Sequence, residues 1–82
     1  MRGRTKVILE PGMHRGFRRG MNAVALGDIP KLRRELRKVI GGTGSKLYYY
    51  IVGKTIIREG KAQMIERVFG KFGITPDAIW DK

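Results

Sequence analysis

The chain has no cysteine. That excludes disulfides, thiolate metal sites and a thiol nucleophile, and it leaves the redox compartment undetermined. The single histidine, His14, has no second His or Cys to share a metal. Acidic residues are scarce, seven in all and scattered. No two are spaced for general acid–base work and none cluster as metal ligands do, so neither an enzyme nor a cofactor is expected. No apolar run approaches the roughly 20 residues of a membrane span. The N-terminus lacks the apolar stretch of a signal peptide. A cytoplasmic protein with no membrane partner is the expectation. Eighty-two residues make one small domain, near the lower limit for a self-sufficient core.

What the chain has in excess is positive charge: 18 basic residues give a net charge of +11. The excess is uneven. Residues 1–60 carry 14 basic and 4 acidic side chains, and residues 61–82 carry 4 and 3. A field of one sign on part of a small domain repels itself, and a polyanion relieves that repulsion. Nucleic acid is the polyanion this composition favours over an anionic membrane surface.

Residues 1–27 read as a basic arm outside the core. Arg2, Arg4 and Lys6 precede a β-like Val7-Ile8-Leu9, and Pro11-Gly12 suits the centre of a type II turn. The stretch His14-Arg15-Gly16-Phe17-Arg18-Arg19-Gly20 mixes cations, glycine and one aromatic. In one reading Arg15, Arg18 and Arg19 lie along phosphates or in a narrow minor groove, with Phe17 stacking. In the other, the segment is a solubilising leader or a short hairpin. Met21 to Leu26 reads as an extended apolar lead-in to a helix.

The helix follows. Asp28 is an N-cap candidate and Pro30 sits in the first turn. Ile29, Leu32, Leu36, Val39 and Ile40 recur at spacings of three and four, while Lys31, Arg33, Arg34, Arg37 and Lys38 crowd the other side. Gly41-Gly42 ends it. Ser45 is a second N-cap candidate, and residues 47–57 read two ways. As a helix, Leu47, Tyr50 and Ile51 share a face opposite Ser45, Lys46 and Tyr49, with Tyr48 at the flank. As a hairpin, LYYYIV and Thr55-Ile56-Ile57 pair across Gly53-Lys54. The capped start and the preceding helix favour the first. Ile56 and Ile57 are expected to tuck against the core. A third helix, Lys61 to Phe72, buries Ile65, Val68, Phe69 and Phe72 with Met64 beside them, and its Gly70 suggests a close helix contact. Thr75-Pro76-Asp77 opens a last turn that returns Ile79 and Trp80 to the core.

With its Ser-led helix, Gly53-Lys54 corner and Gly73-Ile74-Thr75-Pro76-Asp77-Ala78-Ile79-Trp80 end, the stretch 28–82 resembles the Cro and λ-repressor-like helix-turn-helix superfamily. It is most similar there to small regulators of phages and mobile elements of Bacteroidetes type. It departs in a longer connector after Lys54, a longer turn at residues 41–44 and an arm in place of the first helix. The expected fold is all-α: a compact helix-turn-helix domain of three to four short helices over residues 28–82, preceded by the arm 1–27. The expected function is sequence-specific binding of double-stranded DNA by a phage or mobile-element transcriptional regulator. Lys31, Arg34, Lys38 and Lys54 are assigned to phosphates, Ser45, Lys46 and Tyr49 to base edges, and Tyr48 to sugar or a thymine methyl. The resemblance implies a homodimer. Two further classes stay open: an RNA or single-strand binder that stacks bases on its tyrosines, and a sequence-neutral architectural or virion protein.

Overall fold

A computed structural model describes residues 12–42 and 44–81. These form an all-α domain of four helices, α1 (Arg18–Ala23), α2 (Ile29–Ile40), α3 (Gly44–Val52) and α4 (Glu59–Gly70). Single 3-10 turns stand at Leu26–Asp28 and Pro76–Ala78. Among the described residues there is no strand, only an isolated bridge between His14 and Ile57.

α2 forms where its apolar stripe predicts. Leu32, Leu36 and Ile40 are buried, and Ile29 and Val39 pack partly against the core. Asp28 does not cap it through its side chain. It closes the 3-10 turn, its backbone N–H donating to the Ala25 carbonyl at 2.9 Å. Gly41 ends α2 with φ 77° and ψ −179°, a backbone region open essentially to glycine alone.

The ambiguous tyrosine segment is the helix α3. Leu47 is fully buried and Tyr50 and Ile51 are half-buried, the three-and-four spacing of a helix face. A lone two-stranded hairpin is marginal in water, whereas this helix packs on both α2 and α1. Its first residue is Gly44, so Ser45 lies inside it and is not its N-cap. The α2–α3 connection shortens to residues 41–43. Gly53 ends α3 with φ 88°, and Lys54 N–H reaches back to the Tyr49 carbonyl at 2.9 Å, the six-residue closure of a Schellman cap. α4 closes in the same way at Gly73, with Ile74 N–H on the Phe69 carbonyl.

The expected arm is corrected over its described part. Phe17 is 0% exposed and sits edge-on to Phe69 and Trp80, with centroid distances of 5.8 and 6.0 Å. The backbone around it is stitched to distant segments. His14 exchanges both hydrogen bonds with Ile57, Phe17 N–H donates to Ile51 O, and Gly20 N–H donates to Ile79 O. The Asp81 carboxylate accepts from the backbone N–H groups of Arg18 and Arg19 and so occupies the start of α1. Met21–Leu26 is not an extended lead-in either: α1 runs through Ala23 and Leu26 opens a 3-10 turn. Residues 1–11, with the basic Arg2, Arg4 and Lys6, lie outside the described residues.

Ile57 is buried but Ile56 is exposed, because the bridge to His14 turns only one of the pair inward. α4 starts at Glu59 and ends at Gly70, two residues earlier than its apolar spacing suggests. Its inner face is Ala62, Ile65, Val68 and Phe69, while Met64 is exposed. Gly70 has no heavy atom within 4 Å of where a Cβ would stand, so it mediates no close contact.

Candidate nucleic-acid interface

α3 presents Ser45, Lys46, Tyr48 and Tyr49 to solvent on the side away from Leu47. Tyr48 and Tyr49 are 53% and 45% exposed, large for aromatic rings, and their centroids lie 6.0 Å apart. The Lys46 stem lies across Gly42: a Cβ there would meet Lys46 Cδ at 2.8 Å. At the other end the Schellman closure carries Lys54 back over α3, and its Nζ stands 5.3 Å from the Tyr49 ring centre. Arg15 Nε donates to the Gly53 carbonyl at 2.7 Å, which sets an exposed guanidinium at the same end. Two lysines and an arginine thus bracket a polar and aromatic helix face.

α2 has two exposed edges of different character. One runs along α4. There Glu35 accepts from Lys38 at 3.3 Å and Lys71 at 3.4 Å. The hydrogen bond and charge of Lys38, then those of Lys71, hold the Glu35 carboxyl below the usual carboxylate range. The other edge forms an open groove lined by Ile29, Pro30, Arg33, Arg34 and Arg37. Among the described residues both ion pairs use Glu35, which leaves Lys31, Arg33, Arg34 and Arg37 without a carboxylate partner. Like charges four residues apart on a helix, as at Arg33 and Arg37, are destabilising by a few tenths of a kcal/mol.

Of the residues nominated from sequence, the structure therefore groups Ser45, Lys46, Tyr48, Tyr49, Lys54 and Arg15 along α3. It sets Lys31 and Arg34 free on α2. Lys38 is exposed too, but it is paired with Glu35 on the α4 edge. Arg19 is corrected. Its guanidinium donates to the Trp80 carbonyl at 3.0 Å, and it shares a cleft with Glu66, Asp77 and Asp81, whose carboxylates repel a phosphate. Arg18 is exposed beside Arg19, on the same Asp81-capped turn. The groove adds Arg33 and Arg37 to the cations assigned from sequence. Their i, i+4 spacing places them on one stripe of α2.

Among the described residues no group of three or more His, Asp or Glu side chains is arranged to hold a metal ion. No described helix is long and apolar enough to cross a membrane. No family model, curated protein or solved structure matches the chain.

Proposed function

We propose that the chain binds double-stranded DNA in a sequence-specific manner, with α2 and α3 acting as a helix-turn-helix. In this reading α3 enters the major groove. Ser45, Lys46 and Tyr49 face base edges, and Tyr48 lies against sugar or a thymine methyl. Lys31, Arg33, Arg34, Arg37, Lys54 and Arg15 hold phosphates and fix the register. A regulator of transcription carried by a phage or mobile element is the role this suits, acting as a homodimer on a two-fold site.

One observation carries the reading: an exposed polar and aromatic helix face, bracketed by cations, lies three residues in sequence from a helix edge with three unpartnered arginines. A positively charged helix face needs a polyanion to offset its repulsion, and a nine-residue helix fits a groove about 12 Å wide.

The test is competition binding with duplexes selected from a random pool, against random duplex and single strands. Tyr49→Ala should lower discrimination between selected and random duplexes more than it lowers affinity for random DNA. Arg34→Ala should weaken both alike. Equal loss of discrimination in the two variants counts against the assigned roles. A palindrome among selected sites gives the half-site spacing of a dimer, about 34–36 Å or a multiple.

The exposed pair Tyr48 and Tyr49 also favours a second reading, in which unpaired bases stack on them. Tighter binding of single-stranded DNA or RNA than of any duplex, lost in Tyr48→Ala, assigns the surface to that class. A flat response across random duplexes assigns it to sequence-neutral packaging.

A further inference from the structure

Leu26 is 89% exposed, the most exposed large apolar side chain among the described residues. It stands on the 3-10 turn that runs directly into α2, just ahead of Ile29 and Pro30. Those two residues open the groove that continues through Arg33, Arg34 and Arg37. An apolar tip with a train of free arginines behind it has a definite chemistry. The tip gains by leaving water, and the arginines gain by meeting phosphates.

A second copy of the chain is a poor occupant, because a two-fold contact here would bring the same arginines face to face. A duplex accommodates both parts. Its minor groove is lined by phosphates on either side and admits apolar wedges between base steps.

We propose that Leu26 is a wedge that enters the minor groove and bends the duplex, with Arg33, Arg34 and Arg37 holding the intervening strand. This rests on α3 occupying the major groove. The dimensions agree. The 12 residues of α2 span roughly 18 Å. Adjacent major and minor grooves are half a helical turn apart, roughly 17 Å. With α3 in one groove, α2 crosses the phosphate strand and brings Leu26 to the next. Pyrimidine–purine steps unstack most easily, so the inserted step should be of that kind, and sequence preference extends to a position that α3 never touches.

The test uses the full chain and selected duplexes with fluorophores at both ends and 2-aminopurine at candidate steps. Binding should raise end-to-end energy transfer and brighten 2-aminopurine at one step. Leu26→Ala should abolish both changes while the duplex stays bound, and Leu26→Phe should restore them. Leu26 touches too little of the core for either variant to unfold the domain, which circular dichroism verifies. Duplex binding with no rise in transfer, or equal bending by Leu26→Ala, overturns the wedge and leaves the α3 reading standing. No duplex binding at all overturns both. Binding to anionic phospholipid vesicles that Leu26→Ala removes assigns the tip to a membrane surface and overturns the wedge.

Discussion

At the level of single residues, His14 shows how position rewrites chemistry. Its ring lies parallel to Trp80 at a centroid distance of 4.1 Å, and the Trp80 indole N–H donates to Glu66 at 2.8 Å. Burial of the imidazole holds its pKa below the ordinary 6.5, with the Glu66 charge opposing. In the window just below 6.5 the unfolded chain binds a proton that the folded chain does not. Stability therefore rises with pH across that window. The contribution is fully present above 6.5 and is lost as pH falls through the lowered folded value. Glu35 and Asp77 are held below 4.5 and 3.8, Asp77 chiefly by the Thr75 hydroxyl, so both titrate beneath the window. His14→Phe keeps a flat ring on Trp80 and removes the titration. Thermal melts of the two proteins between about pH 7.5 and pH 5 check this: the wild-type midpoint should fall more steeply than that of His14→Phe. Parallel slopes would place the acid sensitivity elsewhere.

Among the elements, α1 is the one whose place the sequence hides. α2 and α4 declare themselves through apolar residues three and four apart, a signal contained within each segment, whereas α3 shares that spacing but is separated from a hairpin only by its flanking segments. Phe17 has no such neighbours. Its partners are Ile51, Phe69 and Trp80, and the carboxylate that starts α1 belongs to Asp81. A core residue set in Gly- and Arg-rich sequence looks like part of an arm until those long-range contacts are known. The site divides along the same line. The outward set Ser45, Lys46 and Tyr49 follows from helical spacing alone. The difference between Lys38 and Arg37 does not, since it depends on which edge of α2 lies along α4 and on a pairing between Glu35 and Lys71. Two glycine substitutions, one in α1 and one in α4, separate close packing from open space. A Cβ on Gly20 would lie 2.9 Å from the Phe69 ring and 3.1 Å from Ile79 Cα, which is backbone. Gly20→Ala should cost about 1–3 kcal/mol through overpacking, in spite of alanine's better helix propensity. Gly70→Ala, at an exposed position with open space, should instead stabilise by roughly 0.5–1 kcal/mol. Urea unfolding of the two variants should give shifts of opposite sign, and a neutral Gly20→Ala would show that α1 can move off Phe69 freely.

For the molecule as a whole, a net charge of +11 is too blunt a quantity to define a binding surface. What matters is which cations are already engaged. Lys38 and Lys71 share Glu35, and Arg19 is held at Trp80. Lys31, Arg33, Arg34 and Arg37 have no such partner among the described ion pairs, and Arg15 and Lys54 stand at the Gly53 end of α3. If those six neutralise phosphates, the log–log dependence of affinity on salt has a slope of about −5. The number alone would not separate a defined surface from diffuse attraction, but two variants of known placement do. Replacing both Arg33 and Arg37 with Ala removes two contacts and should flatten the slope by roughly 2. Lys38→Ala also removes a cation from the same helix, but one whose charge Glu35 already offsets at 3.3 Å. Its slope should match wild type. Binding isotherms over a salt series read both. Equal flattening per charge removed, Lys38 included, would mean that the protein meets DNA as an unoriented cation and that the α2–α3 surface has no privileged role.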